Sequence, residues 1–566
     1  MKLFVSSDVQ ASTIFSDAFA RLECELNQFQ SAIQTPKARA AALATVDQNI
    51  DAANRLILSM LTRRNMLVPI SVLPVEILVR IFHLNAVVAA SARTYSPTLS
   101  PGLVSVTHVC RHWRQVALND STLWTEFSTS PRDEDWIAER LSRARNAPLI
   151  IELGASVDRD MVFLFTPHIS HTRELYLRNI PSITHSVIMQ EVSTQKASEL
   201  ECFELRVSST LPIMHPAGHS FFNGPLPKLR VLCLSQILFP WSLVPRGPLT
   251  QLRVALNEEV FTSHPEVSPH EDLNQLIDLL VNCPALEVFH LENCLPVTLS
   301  ESSGEQTIHL PRLSRLFLAG SSSRVRNLLK MLKLSSSTTL CLICTPEYVA
   351  PENASLILSI LSVHFNHPIP TKFRSFQIHL DHMNRTIDMF ASTSLPRSST
   401  PHAHVIQGDT DIGAQLRLSL SFLSVHDFNN LVDMISTHAC EVLPLSKLDT
   451  LSISSPARVP RVHWGEMFRH LTEVTTVQLY GRGTISLLPA LTLLQCSRGK
   501  GREKRHGDNN KGARVQASND DNNDGPAPVN VPIFPKLHQE TCHLLFCTRT
   551  SEKVDKSTSN LESKKS

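Results

Sequence analysis

Val72-Leu-Pro-Val-Glu-Ile-Leu-Val-Arg-Ile-Phe82 opens the stretch whose reading decides the fold. It continues in Val106-Thr-His-Val-Cys-Arg-His-Trp-Arg-Gln-Val-Ala117 and closes on Asp120-Ser-Thr-Leu-Trp124. Pro74 suits the first position of a helix, where a missing N–H costs no hydrogen bond. Glu76 falls in the first turn, where a carboxylate meets the positive end of the helix dipole. Val72 and Ile77 occupy the two positions of a hydrophobic staple around that start. Ile77, Leu78, Ile81 and Phe82 recur at helical spacing and make one apolar face. Val106, Val109, Cys110, Trp113, Val116 and Ala117 do the same, predicting one continuous helix. Asn119-Asp120-Ser121 stops it and caps a further turn carrying Leu123 and Trp124. Helices this short and this apolar need partners around them.

The order Leu73-Pro-x-Glu-Ile-Leu-x-x-Ile-Phe82, then Val109-Cys-Arg-x-Trp-Arg-x-Val-Ala117, then Leu123-Trp124 resembles an F-box. It is most similar to the version found in large fungal families of F-box-like proteins. Trp136-Ile-Ala-Glu-Arg-Leu-Ser-Arg-Ala-Arg-Asn-Ala-Pro-Leu149 also has a counterpart there, a linking helix expected over 132–150. The resemblance implies a small all-α domain over 70–127 that binds a Skp-type adaptor protein and, through it, a cullin–RING ligase. It implies that Leu73, Pro74, Ile77, Leu78, Ile81, Val109, Cys110, Trp113 and Trp124 form the core and contact surface of that domain. One departure is the segment Asn85–Ser105, longer than in a compact F-box and containing Ser96-Pro97 and Ser100-Pro101-Gly102. It reads as an inserted loop that leaves the helix pair intact and bears on the adaptor-facing surface.

From about residue 170 a unit Leu-x-x-Leu-x-Leu recurs, the signature of a leucine-rich repeat. Its apolar pairs are Leu175/Leu177, Phe203/Leu205, Leu232/Leu234, Leu252/Val254, Phe289/Leu291, Leu316/Leu318, Leu340/Leu342, Phe376/Ile378, Leu416/Leu418, Leu451/Ile453 and Val477/Leu479. Helical stretches such as Leu273–Leu280, Val325–Leu332 and Asn430–Ile435 lie between them. Asn282-Cys-Pro-Ala-Leu-Glu-Val-Phe-His-Leu291 resembles the helix-to-strand turn of the repeats that follow many F-boxes. A strand and a helix cannot bury their apolar faces alone, so such units stack. The expected fold class is an α/β repeat: N-terminal helices and the small all-α F-box, then an irregular leucine-rich-repeat solenoid, an α/β horseshoe, over 150–496. Outward residues between or beside the strand anchors are the candidate target contacts: Arg178, Arg206, Arg253, His290, Glu292, His379, Arg417 and Tyr480.

The remaining segments read more simply. Phe15, Phe19, Leu22, Leu26, Phe29 and Ile33 alternate in fours and threes, and Pro36 breaks the run. Ala42, Val46, Ile50, Ala53, Ile57 and Met60 begin a second helix. Residues 12–66 therefore predict a helical hairpin or short coiled coil, with packing on itself or on the helices that follow favoured over dimerisation. Residues 497–530 are rich in Gly, Asn, Asp and Lys and read as a disordered insert. Residues 531–549, with Ile533-Phe-Pro-Lys-Leu537 and His543-Leu-Leu-Phe546, resemble a last degenerate repeat, and 550–566 a polar tail. The basic cluster Arg498, Lys500, Arg502, Lys504 and Arg505 reads as a solvated loop ahead of a nuclear import signal.

The chain has 566 residues, with 53 Lys+Arg against 52 Asp+Glu. That balance gives no general case for nucleic-acid or membrane binding. Only 17 glycines argue against several phosphate-cradling loops, and the 12 cysteines are scattered, many in apolar runs, as in a reducing compartment. The opening Met-Lys-Leu-Phe-Val is too short for a secretory signal, and no apolar run spans a membrane. A cytosolic or nuclear protein is expected. Cys341-x2-Cys344 with His364-x2-His367 has metal-like spacing, yet two strand residues three apart point to opposite faces. His108 and His112 lie one helical turn apart, with no third ligand evident. No nucleophile elbow, phosphate loop or kinase signature is present. The reading is a non-catalytic substrate receptor of a ubiquitin ligase, without cofactor or small-molecule substrate. The alternative is an interaction scaffold whose F-box-like helices are only internal packing.

Overall fold

The computed structural model describes residues 8–29, 35–91, 101–128, 134–215, 220–257, 273–296, 307–347, 351–366, 370–394, 414–422, 428–455, 471, 473–481, 484 and 542–545. The segments 497–530 and 550–566, and Ile33, lie outside these, as do the side chains of Phe15, Leu26 and Phe29. The chain divides into two compact units, Met1–Ala147 and Pro148–Ser566.

The first unit is helical: α1 (Asp8–Phe29), α2 (Pro36–Met66), α3 (Val75–Ser91), α4 (Pro101–Thr107), α5 (Arg111–Asn119) and α6 (Glu134–Ala144). Thr35 caps α2, its Oγ1 accepting from Ala38 N at 3.2 Å, and Pro36 takes the first turn. The expectation that α2 packs on itself or its neighbours is corrected: none of its residues is buried. Leu43, Ile50, Ile57 and Met60 all stay exposed.

Three local readings change. Helix α3 begins at Val75, so Pro74 precedes it, and the Pro74 carbonyl accepts from Ile77 N and Leu78 N, each at 3.1 Å. The staple positions thereby shift to Leu73 and Leu78, and Val72 is 78% exposed. The single helix expected over Val106–Ala117 is two helices. Helix α4 stops at Thr107, and extended Cys110 caps α5, its Sγ accepting from Trp113 N at 3.5 Å. The Thr107 carbonyl freed at that break accepts from Arg114 Nε at 2.8 Å. Finally, the segment read as a loop over Asn85–Ser105 is helical through Ser91 and again from Pro101, while 92–100 lie outside the described residues.

Leu78, Phe82, Leu103, Val106, Val116, Ala117, Leu123 and Trp124 form the core of this unit. Phe82 meets Trp113 with ring centroids 5.1 Å apart. Trp124 is 1% exposed and donates Nε1–H to the Ala117 carbonyl at 2.8 Å, so its buried polar atom is satisfied. Arg143 on α6 covers its ring at 4.6 Å.

The second unit holds a large, mostly parallel sheet. Its strands are β1 (Leu149–Leu153), β2 (Thr172–Pro181), β3 (Cys202–Ser208), β4 (Val231–Ser235), β5 (Gln251–Ala255), β6 (Val288–Glu292) and β7 (Arg315–Ser321). They continue as β8 (Thr339–Glu347), β9 (Ser375–Asp381), β10 (Thr386–Ser392), β11 (Leu416–Phe422), β12 (Thr450–Ser454), β13 (Thr476–Tyr480) and β14 (Cys542–Leu545). Neighbours follow chain order from β1 to β8, then run β11-β10-β9 before β12-β13-β14. Helices α7 (Arg159–Phe165), α8 (Ser182–Val192), α9 (Leu273–Val281), α10 (Ser322–Met331), α11 (Pro351–Asn366) and α12 (Phe428–Val442) lie between strands.

Strand alternation places both members of each apolar pair on the covered face. Leu316 pairs in register with Phe289 and Leu340, and all three are at most 1% exposed. A left-handed residue recurs two positions after the pair: Asn179, Gln236, Asn293 and Gly320 all have positive φ. The kink turns the following side chain inward, as for Ile180, Ile237 and Cys294, each 0% exposed. Asn293 Nδ2 donates to the Leu256 carbonyl at 3.1 Å and Cys294 Sγ to that of Val254 at 3.4 Å, tying one unit to the one before.

The sequence reading places β9 after β8; in the structure β8 pairs with β11 instead. Strand β10, not read from the sequence, runs antiparallel to both β9 and β11. An Asp381 turn makes the reversal, with Oδ1 accepting from Met383 N at 2.8 Å and Asn384 N at 3.1 Å.

Candidate functional site

Two surfaces carry chemistry, one on each unit. On α3 the apolar residues fall on two adjacent stripes. Leu78 and Phe82 face the core at 0% exposure. Pro74, Ile77, Ile81 and Leu84 follow at i, i+3, i+7 and i+10 and look outward. Ile77 is 45% and Leu84 59% exposed, while Ile81 is half-buried. Val72, Val75 and Val109 are also exposed apolar residues of this unit.

The residues singled out in the sequence therefore separate. Leu78 and Trp124 are core; Pro74, Ile77 and Val109 are surface; Leu73, Ile81, Cys110 and Trp113 are half-buried between. Leu84, Val72 and Val75 were missed as surface, although Leu84 continues the helical spacing of Ile77 and Ile81. A helix sealed on one stripe and apolar on the next presents a face for another protein, since water gains nothing from such residues being solvated.

On the sheet, the side chain between each apolar pair points away from the helices. Register aligns these residues into a row. Tyr176 lies beside Glu204, Glu204 beside Cys233, and Cys233 beside Arg253. Arg253 lies beside His290, His290 beside Phe317, Phe317 beside Cys341, Cys341 beside Arg417, and Arg417 beside Phe390.

Electrostatics divides this surface. At the β1–β3 end the charges are internally paired. Glu204, 6% exposed, accepts from Arg178 Nε and Nη2, each at 3.1 Å, and from Arg206 Nε at 2.6 Å. Arg178 also reaches Glu152 at 2.7 Å and lies over the Tyr176 ring at 4.7 Å. Burial, with a hydrogen bond to Glu174, pushes the Tyr176 hydroxyl pKa up, so it stays protonated. Arg178 thus ties β1, β2 and β3 together, and Arg206 is paired to Glu204 on its own strand, so neither offers free charge. Tyr480 is likewise corrected as an outward contact: it is 4% exposed, its hydroxyl 3.2 Å from Gln478 Oε1. His379 is half-buried beside Asp381, and Glu292 faces His290 Nε2 at 3.4 Å. Arg253, His290 and Arg417 line one depression with Phe317 and Cys341. Burial raises the Cys341 thiol to about 11, so it stays a neutral thiol at neutral pH.

Among the described residues no cluster of His, Cys, Asp and Glu could hold a metal ion. Cys344 is buried and Cys341 half-buried, on opposite faces of β8, and His367 lies outside the described residues. No described helix is long and apolar enough to cross a membrane.

The helical surface has a counterpart among known families: the family described as F-box-like matches residues 70–130. An F-box-like domain therefore occupies this part of the chain, which assigns it a role in protein interaction. A comparison with curated proteins finds no match.

Proposed function

We propose that the chain is the target-binding subunit of a Skp–cullin–F-box ubiquitin ligase, of the fungal F-box-like type with C-terminal leucine-rich repeats. The observation that carries this reading is the outward stripe Pro74–Ile77–Ile81–Leu84, lying within the F-box-like match beside a sealed core stripe. The recurring apolar pairs, the positive-φ position after four of them and the parallel pairing of successive strands support reading 150–496 as an irregular leucine-rich-repeat solenoid. In this reading the chain performs no chemistry. It raises the effective concentration of target lysines near a conjugating enzyme, in the cytosol or nucleus.

The test is co-purification of the full chain with a Skp-type adaptor. Wild type retains the adaptor, and Ile77→Asp with Val109→Asp releases it. Leu78 is unsuitable, because at 0% exposure its substitution reports folding. Failure of wild type to retain the adaptor, or full retention by the double variant, would overturn the proposal.

A further inference from the structure

Helix α2 runs for 31 residues, about 46 Å, ahead of the F-box-like domain. Ala38, Ala42, Val46 and Asn49 are half-buried, so one side of its first half is partly covered. From Ile50 to Arg64 every residue is exposed. That stretch carries Ile50, Leu56, Ile57, Leu58, Met60 and Leu61, each between 44% and 57% exposed. A bare helix of this length is marginal in water, and most helical stability comes from packing an apolar face. Among the described residues none buries this one.

The apolar positions have a heptad order. Leu43, Ile50 and Ile57 repeat every seven residues, and Val46, Ala53 and Met60 follow each of them by three. These are the a and d positions of a two-stranded coil. The charges choose its direction. Arg64 takes the next a position, and Asp47 takes an e position. Parallel pairing sets Arg64 against Arg64 of the other copy, with Arg63 beside it. Antiparallel pairing centred on Arg55 sets a against d instead. Ile50 then meets Met60 of the other copy, Ile57 meets Ala53, and Leu43 meets Leu67. Arg64 meets Val46, with Asp47 next to it on the same flank, and two-fold symmetry repeats that ion pair at the other end. Among the described residues neither Arg64 nor Asp47 makes an ion pair within its own chain.

The contact is large enough to hold. Four positions in seven enter such a seam, about fourteen residues over Leu43–Leu67. At the roughly 30–40 Å² per residue of ordinary interfaces they bury about 500 Å² a side and about 1,000 Å² in all, the least that a specific association needs.

We propose that α2 pairs antiparallel with α2 of a second copy of this chain. The pairing is independent of the ligase reading and does not use the stripe on α3. In the pair the two Met66 residues lie about 33 Å apart along the axis, so the two F-box-like domains leave from opposite ends.

The test is sedimentation of the full chain from about 1 to 100 μM, because an interface at the lower size limit associates weakly. Monomer gives way to dimer over this range. Ile50→Asp with Ile57→Asp abolishes the dimer. Arg64→Asp weakens it about tenfold, as does Asp47→Arg, since two symmetry-related pairs turn from attractive to repulsive. The two changes together restore it, because each swapped charge meets its opposite on the other copy. Arg55→Asp, at the outward f position of the same helix, leaves it unchanged. A circular dichroism melt of each variant checks that the helical unit stays folded. A wild type that stays monomeric throughout, a dimer insensitive to the Ile50/Ile57 change, or an Arg64→Asp defect that Asp47→Arg does not repair overturns the inference.

Discussion

Ile77→Asp combined with Val109→Asp separates an adaptor surface from ordinary packing. Ile77 is 45% and Val109 56% exposed, so neither substitution removes a filled core position. Burying a whole aliphatic side chain is worth about 1.5–3 kcal/mol. Roughly half of that remains to be gained by each residue on docking, or about 1 kcal/mol per site. Truncation of both to Ala should thus weaken adaptor binding by about 2 kcal/mol, roughly 30-fold. Asp adds the cost of placing two carboxylates in an apolar contact, which takes the loss beyond 100-fold on an order-of-magnitude reckoning. The assay is titration of immobilised adaptor with each variant, beside a thermal melt of the same sample. The expected result is lost binding with an unchanged melt. A melting point lowered as far as in Leu78→Asp would mean that these side chains are core. Undiminished binding would mean that the stripe is not the contact surface.

Other expectations follow from the packing. Phe82→Ala empties a 0%-exposed site against Trp113 and should cost about 3–5 kcal/mol, visible as early loss of the helical unit in denaturant. Asn293→Ala loses the bond to Leu256 and leaves a β-carbon residue at φ 54, so a loss of about 1–3 kcal/mol is expected by chemical denaturation. Gly320→Val places a branched residue at φ 154, 3.1 Å from Leu295 Cδ1 at its β-carbon, and should lower the melting point of the sheet. Burial, then the nearby His215, pushes His185 down to about 4. Its unfolded state gains a proton first as pH falls, so its contribution is complete above about 6.5 and lost between there and 4. The loss reaches up to about 3 kcal/mol, and melts of His185→Leu against wild type at pH 7 and 5 should show a shallower pH slope in the variant.

The sheet was legible because its pattern has a two-residue period that survives any loop between strands. Leu316 and Leu318 alternate with exposed Arg315 and half-buried Phe317, and the same alternation marks Leu252 and Val254. Strand β10 escaped because it follows β9 directly across the turn 382–385, well inside the repeat spacing, although Ile387, Met389 and Ala391 alternate. The break between α4 and α5 escaped for another reason. Apolar spacing carries on across His108–Cys110, and the helix start is made by a cysteine, which is not a usual capping residue. In the helical surface, composition could not separate Leu78 from Ile77, because both are apolar and only their neighbours decide which is covered. In the depression, Arg253 and Arg417 stood out as charges between strand anchors. Arg315 did not, since it precedes its anchor, and Phe317 and Phe390 passed as ordinary apolar residues.

The reversed segment β9–β10–β11 has a consequence for how the sheet assembles. It is a three-strand meander in which only the β9–β10 hairpin closes locally, Asp381 pairing with Thr386, while β10 and β11 pair across a longer connection, Ala391 with Leu416. Its two outer strands each then receive a parallel neighbour, β8 on one side and β12 on the other. The β9–β10 hairpin is the most local pairing of this segment, so it offers an edge on each side to which β12 and β11 can add. The chain on either side could lengthen or lose a strand without disturbing that seed. Such a molecule can change the reach of its surface while keeping one internal point of nucleation.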